Sequence, residues 1–94
     1  MSFSYSIRTP DGVAEQGDCD FVVVPTTRGE MGVLADHAPV VASVAEGALR
    51  ITSGGKERNV RIGPGLVEVL DNVVTLFVGF VGARSSAAQA SEPV

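Results

Sequence analysis

Apolar residues recur along the chain at the spacing of β-strands. Phe3, Tyr5 and Ile7 alternate with polar residues, and a period of two predicts a half-buried strand. The run from Phe21 to Val24 is apolar throughout, which is typical of a strand covered on both sides. No stretch before the C-terminal tail shows a convincing helical period. The pattern therefore predicts a protein whose ordered part consists of strands.

Turn residues separate these stretches roughly every six to twelve residues. Pro10-Asp11-Gly12 combines a fixed φ, a side chain that bonds its own backbone and a residue that tolerates positive φ. Residues 53–56 and the pair Asp71-Asn72 have the composition of tight hairpin connections. About ten short strands with such turn signals predict an all-β sandwich or barrel.

The segment after the first apolar run is expected to be a loop. Pro25 should end the third strand, because proline cannot donate to a β-ladder. Residues 26–32 are polar and glycine-rich, and Glu30 is placed at the predicted tip. A short strand over residues 31–34 follows.

The composition changes toward the end of the chain. The strand over residues 73–78 is predicted to be the last, and the pattern fades from Gly79. Residues 83–94 are mostly small or polar and are expected to form a flexible tail. Residues 1–82 then form a single domain, since a chain of 94 residues supports one hydrophobic core.

Composition and charge argue against several classes of function. The net charge is −4, so the chain would repel nucleic acid and anionic lipid headgroups. No segment approaches the roughly 20 apolar residues that span a bilayer, so direct insertion into a membrane is not expected. One cysteine, Cys19, and one histidine, His37, leave neither an intrachain disulfide nor a soft-ligand metal site.

No set of residues predicts catalysis or cofactor binding. Asp36 and His37 are adjacent, but adjacent side chains in an extended turn diverge, and no nucleophile can be placed beside them. His37 is instead interpreted as a turn residue that bonds nearby backbone. Residues 53–56 (Ser-Gly-Gly-Lys) lack the first glycine of a phosphate-binding loop and are followed by Glu57. Cys19 lies between two aspartates, which should disfavour a reactive thiolate.

One run of residues carries a family resemblance. Residues 29–39 read Gly-Glu-Met-Gly-Val-Leu-Ala-Asp-His-Ala-Pro. This run closely resembles the signature of ATP synthase epsilon subunits, in which Gly-Glu-aliphatic-Gly leads into an aliphatic pair and a His-Ala-Pro turn. Further segments match that family in the same order, at residues 22–25, 46–51, 65–69 and 72–76. The resemblance covers residues 3–78.

The resemblance implies a flattened antiparallel β-sandwich of about ten strands, which in the family is usually followed by a two-helix hairpin. Sixteen residues follow Val78, and they are poor material for two packed helices. The chain is therefore similar to a sandwich-only form of the subunit. The roles that the hairpin has in some members, inhibiting ATP hydrolysis or binding ATP, are not carried over.

The resemblance also implies a function. Epsilon subunits are non-catalytic central-stalk (rotor) subunits of rotary proton-translocating ATP synthases. They lie between the membrane rotor (c) ring and the gamma subunit, and so couple proton flow to ATP synthesis in the alpha/beta assembly. By this resemblance the chain is expected at the cytoplasmic face of the bacterial inner membrane, as a peripheral protein without a cofactor. An organelle-encoded protein is the alternative.

Two contact surfaces are expected in such a subunit. The part that looks like the ring-contact loop of the family contains Glu30, Met31, Gly32, Asp36 and His37. Glu30 is expected to pair with a basic side chain of the ring. For the gamma subunit, the strand over residues 73–78 is more hydrophobic than one half-buried strand requires. This excess favours an interface at Phe77, Phe80 and Val81.

Two other classes of protein remain as alternatives. A free-standing β-sandwich binding module, for a carbohydrate for example, would present aromatic platforms, whereas this chain has no tryptophan and one tyrosine. A small enzyme would need a paired acid–base or nucleophile set, which cannot be placed in this sequence.

Overall fold

The computed structural model describes residues 1–86, which fold into ten β-strands without a helix. The strands are β1 (Phe3–Thr9), β2 (Gly12–Cys19), β3 (Phe21–Thr26), β4 (Gly29–Leu34), β5 (Val40–Val44), β6 (Gly47–Ser53), β7 (Lys56–Ile62), β8 (Gly65–Leu70), β9 (Val73–Val78) and β10 (Val81–Ser86). The prediction of an all-β fold is confirmed.

The strands form two layers that face each other. Layer A has the order β10-β7-β6-β3-β4, and layer B has the order β5-β8-β9-β1-β2. Within residues 1–86, one pair, Thr26 with Val44, continues the ladder from β3 in layer A to β5 in layer B. The strand pairs described are antiparallel except β1 with β9, which run parallel. This is the sandwich that the resemblance implies.

Alternate residues of the inner strands point between the layers. In β8, Val67 and Val69 are buried, whereas Leu66, Glu68 and Leu70 are exposed. Valine and isoleucine dominate the core because branched side chains pack well on a pleated surface. The buried apolar residues form one cluster: Phe3, Tyr5, Ile7, Cys19, Val22, Val24, Val33, Val44, Leu49, Ile51, Val60, Ile62, Val67, Val69, Val74, Leu76 and Val78.

Two tight connections have the geometry of two-residue hairpins. Asp71 and Asn72 join β8 to β9 with φ of 52° and 62°. Gly54 and Gly55 join β6 to β7 with φ of 59° and 78°. Positive φ at both central residues gives the turn the twist of the strands on either side. Both sequence predictions are confirmed.

The prediction that Pro25 ends the third strand is wrong. β3 continues to Thr26, and the Pro25 carbonyl accepts a hydrogen bond of 2.9 Å from the N–H of Ala45. The N–H and C=O of a strand residue point to the same side, so the missing N–H of Pro25 also faces that side. There the partner of β3 changes from β6 to β5. The missing donor therefore falls where the ladder is already interrupted.

The predicted glycine-rich loop is shorter than expected. β4 begins at Gly29, directly after a connection of Thr27 and Arg28. Gly29 has a φ of 114°, which reverses the chain without the strain that a side chain would add there. Glu30 lies inside the strand opposite Pro25, so its predicted place at a loop tip is wrong.

The structure adds a strand after the one predicted to be the last. β10 pairs with β7, with an irregular register between Val81 and Arg84. Its sequence is small and polar without alternation, so no pattern marks it. β10 continues past residue 82, the predicted end of the domain. The rest of the predicted flexible tail, residues 87–94, lies outside the described residues.

Candidate functional site

The predicted ring-contact residues lie along one edge of layer A. Among the described strands β4 pairs with β3 alone, so its other side is open. Glu30 lies in β4, and Asp36 and His37 lie in the turn after it. The backbone between Glu30 and Leu34 spans about 13 Å. The structure therefore places these residues on one edge but not in one cluster.

Glu30 has a partner within the chain. Its Oε1 atom lies 3.2 Å from Nη2 of Arg50, which also lies 3.9 Å from Glu57 through Nη1. Arg50 and Glu30 are both well exposed to solvent. An exposed pair of this kind contributes about 0–1 kcal/mol to stability. Glu30 can therefore exchange this partner for another cation at little cost.

Met31 and Gly32 offer little side-chain surface on this edge. Met31 is half-buried and packs against the core cluster. Gly32 is exposed but has no side chain, and a Cβ atom there would lie 3.2 Å from the ring of Phe21. Contacts with a partner at these two positions would involve mainly backbone.

Asp36 and His37 are held by separate bonds. The Asp36 N–H donates to Oδ1 of Asn72 at 2.6 Å, and Nδ2 of Asn72 donates to Oδ1 of Asp36 at 3.1 Å. The His37 ring donates from Nδ1 to the Ala38 carbonyl at 2.7 Å. This confirms His37 as a turn residue bonded to nearby backbone. The acid–base pairing of Asp36 with His37 is not formed.

The outer face of layer B carries an apolar patch. Its five side chains are between 41% and 65% exposed although all are large and hydrophobic. Cross-strand register places them together, since Leu66 lies opposite Phe77 and Leu70 opposite Val73. The apolar patch consists of Val41, Leu66, Leu70, Val73 and Phe77.

The outer face of layer A is different in character. Arg50 bridges Glu30 and Glu57, and Nη2 of Arg61 lies 3.3 Å from Oε2 of Glu46. Charged side chains in ion pairs therefore occupy positions that large apolar side chains occupy on layer B. On layer A the exposed Leu34 lies opposite the half-buried Phe21, whereas layer B presents five exposed large apolar side chains side by side. Extended apolar surfaces of this kind mark contacts with other proteins.

The predicted gamma-contact residues have three different settings. Phe77 belongs to the apolar patch, and 49% of it is exposed. Phe80 lies between β9 and β10 and is 44% exposed, with its ring against Gly63. Val81 is half-buried and packs against the core cluster. Two of the three residues are therefore available to a partner, and Val81 is mainly a core residue.

Sequence reasoning missed most of the apolar patch. In β8, apolar residues occupy both phases of the strand, with Val67 and Val69 inward and Leu66 and Leu70 outward. The sequence signal for an apolar outer face was that every residue of β8 after Gly65 is apolar except Glu68. Arg28 at the tip of the β3–β4 connection was also missed, because the tip was assigned to Glu30.

A polar cluster of Tyr5, Glu15 and Arg58 connects layer A to layer B. Nη2 of Arg58 in β7 donates to the Tyr5 hydroxyl at 2.6 Å, and that hydroxyl donates to Oε2 of Glu15 in β2 at 2.6 Å. The Arg58 guanidinium also forms an ion pair with the Glu15 carboxylate. The Glu15 side chain is 9% exposed, so this pair is better shielded than those on layer A.

Cys19 is buried in the core, as a structural cysteine would be. Burial, together with the neighbouring carboxylates of Asp20 and Asp18, raises the pKa of its thiol from 9.0 to about 11. The N–H of Phe21 opposes this shift through a hydrogen bond. The effect of the two aspartates has the direction that the sequence predicts.

In residues 1–86 no group of three or more His, Cys, Asp or Glu side chains is placed to hold a metal ion. No helix in this part of the chain is long and apolar enough to cross a membrane. What the fold and its surfaces define is a small β-sandwich with one apolar outer face suited to protein contact.

Comparison with known proteins assigns the family. Residues 2–81 match the family described as "ATP synthase, Delta/Epsilon chain, beta-sandwich domain", and the chain belongs to this family. The protein named ATP synthase epsilon chain of Alkalihalophilus pseudofirmus is 44% identical over 71 residues, which are 76% of this chain and 53% of the relative. The protein of that name in Rhodopseudomonas palustris is 40% identical over 75 residues, 80% of this chain and 56% of the relative. The chain spans about half the length of these relatives.

Solved structures show the same fold. A chain in the cryo-EM structure of the Euglena gracilis mitochondrial ATP synthase (OSCP/F1/c-ring) matches with a TM-score of 0.77 and 30% identity, over 83% of this chain and 51% of that chain. A chain in the central stalk/c-ring structure of the Tetrahymena thermophila mitochondrial ATP synthase matches with a TM-score of 0.70 over 84% of this chain and 64% of that chain. The identity there is 17%, so this second match supports the fold alone.

Proposed function

We propose that this chain is the sandwich of a non-catalytic rotor subunit in the central stalk of a rotary proton-translocating ATP synthase. The names of the relatives and the family membership support this role. The sandwich would connect the membrane c ring to the gamma subunit and act on the alpha/beta assembly only through gamma. It would work without a cofactor, at the cytoplasmic face of a bacterial inner membrane, as a peripheral protein that binds neither nucleic acid nor the bilayer.

The architecture suits the transmission of torque. Interstrand ladders and a close-packed core resist deformation. The cluster of Tyr5, Glu15 and Arg58 adds direct bonds between the two layers, which would resist sliding of one layer over the other. A rotor part held between two partners needs this stiffness.

An asymmetry between the two outer faces carries the proposal. Layer A presents paired charges, whereas layer B presents the apolar patch. Exposed apolar side chains that are contiguous gain stability when a partner covers them. We therefore assign the gamma contact to the apolar patch, which includes Phe77, together with Phe80.

The ring contact is assigned to the open edge of β4 and the connections at its two ends. Glu30 would leave Arg50 for a basic side chain of the ring, and Arg28, Asp36 and His37 would flank it. Replacing Glu30 by Ala should change the free energy of unfolding by less than about 1 kcal/mol, since the pair with Arg50 is exposed. Unchanged ring association and coupling in this variant would contradict the assignment of Glu30.

The gamma assignment is tested by size-exclusion chromatography with light scattering, on this chain mixed with its cognate gamma subunit. We expect a stable one-to-one complex. Phe77→Ser should weaken the affinity at least tenfold, about 1.4 kcal/mol, with little change in thermal stability, because Phe77 is half-exposed.

Leu34→Ser is the matched control. Leu34 is also a large exposed residue, but it lies at the end of β4 in layer A. Its replacement should leave gamma binding unchanged. Equal losses of affinity in Phe77→Ser and Leu34→Ser would contradict the assignment to layer B. No complex with the unaltered chain at tens of micromolar would contradict the rotor role of the isolated sandwich.

A further inference from the structure

Glu68 stands out among the glutamates of the described residues. Four of the five are in ion pairs with arginine: Glu15 with Arg58, Glu30 and Glu57 with Arg50, and Glu46 with Arg61. Glu68 forms no such pair within residues 1–86. The fold therefore supplies a cation to each of these carboxylates except one.

The surroundings of Glu68 are mainly apolar, with Thr75 opposite it on β9 and Ser43 diagonal to it on β5 as the polar neighbours. It lies in β8 with Leu66 and Leu70 two residues away on the same face. Across the strands it lies opposite Val41 of β5 and Thr75 of β9. Val73 and Phe77 are its diagonal neighbours on β9, because they flank Thr75 at a spacing of two. Glu68 is thus an exposed, ionisable side chain in the middle of the apolar patch.

We propose that Glu68 receives a basic side chain, lysine or arginine, from the gamma subunit when that subunit covers the apolar patch. This inference rests on the proposed function and names the chemistry that the partner must present: apolar side chains around one central cation. A carboxylate that is carried into an apolar contact loses its hydration, and an unpaired charge there is costly. A cation at the matching position offsets much of that cost.

The same pairing would make Glu68 a specificity-determining residue. An apolar surface alone sets no orientation, because hydrophobic contacts are non-directional. One buried charge pair penalises every docking arrangement that leaves the carboxylate without its cation. Glu68 would therefore fix the angular position of the sandwich on gamma, which a rotor with a second contact at the ring requires.

The test compares association and dissociation rates of the chain and its cognate gamma subunit by surface plasmon resonance. Glu68→Gln keeps the shape of the side chain and removes the charge. We expect its dissociation rate to rise at least tenfold with an association rate within about threefold of the original, since loss of one partner of a buried charge pair acts mainly on dissociation. Glu57→Gln, on the outer face of layer A, is the matched control and should change neither rate by more than about twofold.

The outcomes separate this inference from the function on which it rests. Gamma binding by the unaltered chain with equal or slower dissociation of Glu68→Gln would overturn the role of Glu68 and leave the gamma contact standing. A slower association rate alone would also overturn it, because that is the behaviour of a charge at the rim. No gamma binding by the unaltered chain would overturn both. Circular dichroism and light scattering confirm that the variant is folded and monomeric.

A charge-reversal pair identifies the partner residue. Glu68→Arg should weaken binding more than Glu68→Gln, because like charges would then meet inside the contact. One substitution of a basic gamma residue by Glu should restore binding to Glu68→Arg. Failure of every basic residue on the gamma surface to restore it would overturn the pairing.

Discussion

Nη2 of Arg58 lies 2.6 Å from the hydroxyl oxygen of Tyr5, and this bond crosses from β7 in layer A to β1 in layer B. The same hydroxyl donates to Glu15, so Tyr5 is both acceptor and donor in one cluster. Within residues 1–86 the ladder passes between the layers at one strand pair, on the other flank of the sandwich. The cluster therefore adds bonds between the layers on its own flank, where Ser53 Oγ of β6 also donates to the Asp18 carbonyl of β2 at 2.8 Å.

Tyr5→Phe tests the contribution of this cluster. The ring stays in the core, whereas the hydroxyl and its two hydrogen bonds are lost. We expect the free energy of unfolding to fall by about 1–3 kcal/mol, because the bonds involve charged groups and the site is largely shielded. Urea titration followed by circular dichroism measures the free energy of unfolding.

Ser4→Ala is the control. Ser4 lies beside Tyr5 in β1 and donates an exposed hydrogen bond to Asp18 of β2, so losing that bond should cost under about 1 kcal/mol. Equal costs would show that the cluster does not fasten the layers.

Two nearby glycines should respond very differently to alanine. A Cβ atom at Gly65 would lie 1.8 Å from the carbonyl oxygen of Phe77 and 2.8 Å from Cα of Val78. Those are backbone atoms of the paired strand and cannot move aside, so Gly65→Ala should cost about 3 kcal/mol or more. At Gly63 the Cβ atom would lie 2.5 Å from the ring of Phe80, which is half-exposed and can turn outward. Gly63→Ala should cost about 1 kcal/mol.

Thermal or urea unfolding of the two variants checks this order of stability. Gly63→Ala also moves Phe80, so it should weaken gamma binding more than it weakens folding. A larger loss of stability at Gly63 than at Gly65 would contradict the difference between flexible and fixed neighbours.

The strands and turns could be predicted because local chemistry decides them. Asp71-Asn72 and Gly54-Gly55 are residue types that favour positive φ, and each pair adopts positive φ between two paired strands. The prediction that Pro25 ends β3 is wrong because it assumes that a neighbouring strand needs a hydrogen bond from the nitrogen of that residue. Here the partner strand changes at that residue, which is a property of the topology and not of the local sequence.

The surfaces were predicted less completely for a related reason. The family motif located Glu30, Asp36 and His37, and the structure places them along one edge. The apolar patch depends on which phase of β8 and β9 faces outward and on which strands lie side by side. β5 follows β4 in the sequence but pairs with β8, so no local pattern brings Val41 beside Glu68.

The side chain of Asn72 should stabilise the turn that carries Asp36 and His37. Asn72 has a φ of 62° and exchanges two hydrogen bonds with Asp36. Asn72→Gly keeps the backbone geometry and removes the bonds, so we expect a loss of about 0.5–1 kcal/mol. Asn72→Ala removes the bonds and also strains the backbone, so its loss should be about 1 kcal/mol greater.

Urea unfolding of both variants separates the two effects. Equal stabilities of Asn72→Gly and Asn72→Ala would show that the positive φ costs nothing at this turn. In either variant the His37 ring resonances should shift in NMR spectra, because the neighbouring Asp36 loses its fixed position. Unchanged His37 resonances would show that the turn is held by its own bonds to Leu34 and Ala38.

Cys19 should make the fold less stable in alkaline solution. Burial, with Asp20 and Asp18, raises the pKa of the folded thiol from 9.0 to about 11. The folded state therefore binds the thiol proton more tightly than the unfolded state, and the stabilisation that this provides is fully present below pH 9. Between pH 9 and pH 11 the unfolded chain releases the proton more readily than the folded chain, so the free energy of unfolding falls as pH rises.

Cys19→Ala removes the titration of this thiol. Urea unfolding at pH 8, 9, 10 and 11 should show a steeper decline for the original chain than for Cys19→Ala, whose residual decline reports the other groups that titrate there. Parallel declines would mean that the thiol titrates equally in both states and that its burial does not shift its pKa.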